Sequence, residues 1–141
     1  MEQLKACYAA YLAAVEKAEK NQSTWNGAFG LGTSTKDHPC HDAFYESMES
    51  WCEVFLAKKP SQAEAEEAVR FIFETSEAYR GKLPYWYMYA CHGFTRPIIP
   101  LVSAAFAKEM RVWYNERNPR PDRMPVQREV FKLLKKQEKA K

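Results

Sequence analysis

Apolar side chains recur every three to four residues through most of this chain, and prolines and glycines cut the runs apart. In the first segment Leu4, Cys7, Tyr8, Tyr11, Leu12, Val15 and Ala18 fall at offsets of 0, 3, 4, 7, 8, 11 and 14. That spacing places them on one side of a helix. It predicts a first helix over about 2–21. Glycine is scarce, 5 of 141 residues, while aromatic residues make up 14%. A chain with so few turn residues favours helices over a turn-rich sandwich. Its 46% hydrophobic and 28% charged content excludes a disordered or collagen-like polymer.

The remaining segments follow the same logic. Residues 22–39 hold Gly27, Gly30 and Gly32 and read as a glycine-containing loop. Their spacing is not a dinucleotide fingerprint, and no predicted strand precedes them. A second helix is expected after Asp37 as N-cap and Pro39 in the first turn. Its stripe is His41, Phe44, Tyr45, Met48, Trp51, Cys52 and Phe55, and Lys58-Lys59-Pro60 closes it. Ser61-Gln62-Ala63-Glu64 is a capping-box pattern opening a third helix. Ala65, Ala68, Val69, Ile72, Ser76 and Tyr79 form its inner face, and Gly81 and Pro84 end it. A short, largely buried fourth helix is expected over about 84–92. A fifth is expected from near Thr95 to about Arg117, with Ile98, Leu101, Val102, Ala105, Val112 and Trp113 on one face, widened by Ile99, Phe106 and Met110.

The stretch 118–125 is a proline-rich linker. A basic C-terminal helix follows over 126–141, with Val126, Val130, Leu133 and Leu134 as a narrow apolar seam. The expectation is therefore an all-α fold, a single compact helical bundle of about five to six helices. Residues 1–117 form its body. The last helix belongs to the same domain or swaps onto a second copy. The expected core is Leu12, Val15, Phe44, Met48, Trp51, Phe55, Val69, Ile72, Trp86, Leu101, Val102, Phe106 and Trp113.

Charge is uneven along the chain. Residues 1–70 carry 7 basic against 11 acidic side chains, and residues 71–141 carry 14 against 7. The first part is thus net −4 and the second net +7. Arg117, Arg120, Arg123, Arg128, Lys132, Lys135 and Lys136 concentrate the excess near the C-terminus and are candidates for partner binding. They fit an acidic protein surface, the chain's own acidic half, or nucleic-acid phosphates. No reading helix or RNA-binding aromatic signature accompanies them, so nucleic acid is the less favoured partner. A solvated surface is the plainest reading of the same residues.

Histidines and cysteines cluster at two expected helix ends, Asp37-His38-Pro39-Cys40-His41-Asp42 and Cys91-His92. His38, His41 and His92 are candidate metal ligands, although the pattern matches neither a di-iron nor a zincin motif. Cys40 is a candidate nucleophile or redox thiol, because a helix N-terminus lowers a thiol's pKa. Asp37 and Asp42 oppose that effect. The simpler alternative makes His41 a hydrogen-bonded member of the apolar stripe. Tyr85, Trp86 and Arg96 are candidates for stacking a planar ligand, or else packing residues of a buried helix.

Residues 85–107 contain a single charge, Arg96, but Gly93, Pro97 and Pro100 interrupt them, so no membrane span is expected. The polar start of the chain and four unclustered cysteines point to a reducing, cytoplasmic location. No cofactor is implied. The reading favoured by the sequence is a non-enzymatic helical protein that binds a protein partner or forms a homo-oligomer. The alternatives are a metal- or thiol-dependent enzyme or sensor centred on His38, Cys40, His41 and His92, and a nucleic-acid binder using the tail.

Overall fold

The computed structural model describes residues 1–29, 39–80, 91–119 and 124–140, with the stretch 18–29 described in its backbone alone. Among these residues there are five α-helices, one 3-10 turn and no strand, so the fold is all-α. The helices are α1 (Glu2–Phe29), α2 (Cys40–Ala57), α3 (Gln62–Ala78), α4 (Ala104–Arg117) and α5 (Pro125–Glu138), with the 3-10 turn at Ile99–Leu101. The chain divides into two compact units, Met1–Glu53 and Val54–Lys141.

In the first unit α1 turns Leu4, Tyr8, Tyr11 and Val15 inward at helical spacing, and all four are buried. Cys7 and Leu12, on the same stripe, are half-buried. Phe44 of α2 stacks on Tyr11 with ring centres 4.2 Å apart and meets Tyr8 edge-on at 5.1 Å. His41 also contacts Tyr11. Residue number rises along α2 as it falls along α1, so the pair runs antiparallel. One expectation is corrected here. α1 continues to Phe29, so residues 22–29 of the expected loop are helical. Gly27 in a helix costs about 1 kcal/mol against alanine, and a single one near a helix end is tolerated. Residues 30–38 of that loop, with Asp37 and His38, lie outside the described residues.

The second unit begins in the last turn of α2. Lys59 takes φ 52°, the left-handed position that ends many helices, and Pro60 follows. The capping box opens α3 as read from the sequence: Ser61 N–H donates to Glu64 Oε1 at 3.0 Å, and Glu64 N–H donates to Ser61 Oγ at 3.1 Å. α3 buries Ala65, Ala68, Val69, Ile72, Phe73 and Ser76. Phe73 reaches Trp113 and Tyr114 of α4, and Arg70 pairs with Glu109 at 3.1 Å. These contacts advance together along both helices, so α3 and α4 run parallel. α5 returns antiparallel on α4, with Arg111 bound to Glu138 and Gln127 bound to Asn118.

The fifth predicted helix is corrected most. Residues 94–98 are turns, the 3-10 turn follows, and Val102 is extended. The α-helix starts only at Ala104, with Ser103 as N-cap accepting from Phe106 N–H at 3.1 Å. Pro97 and Pro100 explain the delay, since each lacks an amide for the helical ladder. Ile98, Ile99 and Val102 of the expected inward face are buried, but that face is only partly kept along α4. Phe106, Ala107, Met110 and Tyr114 are buried, whereas Leu101, Ala105 and Val112 are exposed and Trp113 is half-buried. Tyr45 of α2 is likewise exposed and Phe55 half-buried. Residues 91–93 are helical; the rest of the expected fourth helix, with Pro84, Tyr85 and Trp86, lies outside the described residues, as does Gly81, the expected end of the third. No helix among the described residues is long and apolar enough to cross a membrane.

Candidate functional site

Cys40 and His41 occupy the first turn of α2, where Pro39 C=O accepts the first helical bond from Ala43 N–H at 3.0 Å. That register turns His41 toward α1. Tyr11 Oη and His41 Nδ1 are hydrogen-bonded at 2.8 Å, with the rings edge-to-face. Cys40 Sγ lies 4.0 Å from the same nitrogen. Burial pushes the Cys40 thiol up, and the backbone amides of Cys40 and His41 only partly oppose it. Desolvation therefore outweighs the helix N-terminus, and the thiol is held in its protonated, less nucleophilic form. His41 is the hydrogen-bonded core histidine that the stripe allows.

His92 belongs to the second unit. Its Nδ1 meets Tyr114 Oη at 3.1 Å, and its ring packs edge-on against Phe73 and Tyr114. Burial, with a smaller contribution from the Arg80 cation, lowers its pKa from 6.5 to about 3. His92 is thus neutral across the physiological range. Each of the two histidines has a tyrosine hydroxyl at Nδ1. His38 lies outside the described residues, and among the described residues no group of three or more His, Cys, Asp or Glu could hold a metal ion. Of the proposed stacking cluster only Arg96 is described. Its Nε donates to Gly93 C=O at 3.0 Å, and its guanidinium pairs with Glu129 at 2.8 Å.

The basic C-terminal candidates divide by environment. Arg117 lies over the Trp113 ring at 4.4 Å, donates to Trp113 C=O and pairs with Glu116. Arg120 and Arg123 lie outside the described residues. Arg128, Lys132, Lys135 and Lys136 are exposed on α5, as is Lys139 just beyond its end. Arg128, Lys132, Lys135 and Lys139 follow one another at steps of four, three and four, so they form one stripe. Lys136 sits on its shoulder. Gln127, Val130 and Leu134 are buried on the opposite side. The two acids of α5 lie off the stripe, where Glu129 is bound to Arg96 and Glu138 to Arg111.

Two groups escaped the sequence reading. One is a buried polar knot. Asn118 Oδ1 accepts from Gln127 Nε2 at 2.7 Å and from Arg80 at 3.1 Å, and Arg80 also holds Glu77 at 2.7 Å. Nothing local marks these residues as partners, since they come from three separate elements. The other is a row of exposed acids on α2: Asp42, Glu46, Glu49 and Glu53. Their spacing of four, three and four residues is visible in the sequence, on the side of α2 away from its apolar stripe. Compared with protein-family models, curated proteins and solved structures, the chain matches none.

Proposed function

We propose that this chain is a small non-enzymatic helical protein that works by binding another protein, with the outer stripe of α5 as its contact surface. One observation carries this reading. Arg128, Lys132, Lys135, Lys136 and Lys139 are exposed on one side of α5, while both acids of that helix are engaged elsewhere. A single-sign stripe on a helix anchored by its opposite face attracts an acidic partner and fixes its register. The raised Cys40 pKa and the tyrosine-bonded histidines lend little support to a thiol or metal chemistry. Cys7, Cys40, Cys52 and Cys91 are thiols and not half-cystines, which supports a reducing, cytoplasmic setting.

The test is binding of a fluorescent glutamate-rich helical peptide, measured by anisotropy beside a duplex DNA and a single-stranded RNA of similar charge. Saturable peptide binding that Lys132→Glu/Lys135→Glu abolishes is the expected result. Preferential capture of either oligonucleotide, with affinity falling steeply as salt rises, would replace this reading with a nucleic-acid one. No binding to any probe would remove the surface from consideration.

A further inference from the structure

The exposed acids of α2 and the exposed cations of α5 share one spacing. Asp42, Glu46, Glu49 and Glu53 are separated by four, three and four residues, and so are Arg128, Lys132, Lys135 and Lys139. At 1.5 Å per residue each row is about 16 Å long. The sequence of steps is a palindrome, so the rows match whether the helices lie parallel or antiparallel. An aromatic residue flanks each row at the same offset: Tyr45 stands three residues after Asp42, and Phe131 three after Arg128. Tyr45 is exposed, and Phe131 is half-buried beneath the Lys135 ammonium at 5.8 Å. None of the eight charged residues forms an ion pair among the described residues.

From this match we infer that the α5 stripe takes a second copy of this chain, docked through the acidic α2 row. The inference rests on the protein-binding reading and names its partner. The charge complementarity supplies the argument: a four-step acidic ruler and a four-step basic ruler of equal length sit on the solvent faces of two anchored helices. Two copies that exchange α2-to-α5 contacts reciprocally form a closed, isologous pair, and copies that do not exchange them chain onward head-to-tail. Exposed ion pairs are individually weak and screened by salt, so the association is a dilutable, salt-labile one. Neither row buries its own anchoring face in the contact, so the fold does not depend on the second copy.

Sedimentation equilibrium on the full chain decides the matter, with four proteins compared at about 20 mM and about 500 mM salt. The wild type is expected to exceed the mass of one chain at low salt and return to it at high salt. Glu46→Lys/Glu49→Lys reverses the two middle charges of the α2 row, and Lys132→Glu/Lys135→Glu reverses the two middle charges of the α5 row, so either change alone sets two repulsive pairs against two attractive ones. Each should stay at the mass of one chain when alone. Mixed one to one, they should associate again, because each then meets its opposite. The fourth protein carries all four changes and should self-associate as the wild type does. Helical circular dichroism checks that each variant is folded. A wild type that keeps the mass of one chain at low salt up to about millimolar concentration overturns the inference. So does association that the single reversals leave unchanged. In the first case binding of the acidic peptide still decides the protein-binding reading separately. A pairing of the rows within one molecule would also leave the mass at one chain, and so counts against the second copy.

Discussion

At the residue scale the two described histidines are packing groups, and for His92 the packing carries a measurable titration cost. Its folded pKa of about 3 lies below the ordinary 6.5 because burial disfavours the imidazolium. Above pH 6.5 it is neutral in both folded and unfolded chains and contributes no pH dependence. As pH falls from 6.5 toward 3 the unfolded chain takes up a proton that the folded chain refuses, so stability falls. The slope is about 1.4 kcal/mol per pH unit within that window. Carboxylates titrate in the lower part of the same range, so the informative quantity is a difference. His92→Gln keeps a polar partner for Tyr114 and removes the titration. In urea unfolding the wild type's advantage over His92→Gln should be constant above pH 6.5 and shrink below it. A difference that is flat down to pH 4 would mean that His92 charges freely in the fold. The sequence allowed for His41 as a hydrogen-bonded stripe member, because its position on the apolar row was visible. It did not identify Tyr11 or Tyr114 as the partners, 30 and 22 positions away. Periodicity shows which side a residue faces but not which residue waits there.

At the element scale the contrast between α3 and α4 shows what makes a helix start readable. The α3 signal is contiguous: Ser61 and Glu64 satisfy each other's backbone amides within four residues. At the α4 start Ser103 is followed by Ala-Ala-Phe with no carboxylate at the third helical position, and the Ser103 N–H donates instead to Glu66 Oε2 of α3 at 3.2 Å, a partner 37 positions away. Thr95 and Pro97 upstream mimic a hydroxyl cap with proline in the first turn, which is why the helix was expected eight residues early. The Thr95 hydroxyl instead donates back to His92 C=O at 2.6 Å, while its C=O accepts from both Ile98 N–H and Ile99 N–H at 2.9 Å, and the product is a turn. Ser61→Ala and Ser103→Ala should each cost about 1 kcal/mol in thermal or urea unfolding. Ser47 provides the control. Its hydroxyl donates back to Ala43 C=O on an exposed helix face, a bond that adds little, so Ser47→Ala should be neutral within about 0.5 kcal/mol. Equal losses at all three serines would refute the capping assignment.

At the scale of the whole molecule the question is what holds the strongly basic α5 in place. The proline-rich stretch before it was legible, because proline cannot continue a helix. What bridges that stretch was not. Asn118 and Gln127 join across it in a buried amide pair, and Gln137 donates to Val102 C=O at 2.7 Å. The ion pair Arg96–Glu129 is substantially exposed, with its side chains 44% and 54% accessible, so it contributes about 0–1 kcal/mol. The larger contribution comes from Val130 and Leu134, which are fully buried. Truncating a buried leucine removes its transfer free energy and leaves a cavity, so Leu134→Ala should cost about 2–5 kcal/mol. Glu129→Gln should cost under about 1 kcal/mol. Hydrogen exchange locates the loss. In Leu134→Ala, amides of α4 and α5 should exchange faster, with a smaller change in the first half of α1, because α5 belongs to the unit that begins at Val54. If Leu134→Ala cost no more than Glu129→Gln, α5 would be held by its rim charges and not by its buried face. The stripe proposed to bind a partner would then lack the rigid support that sets its register.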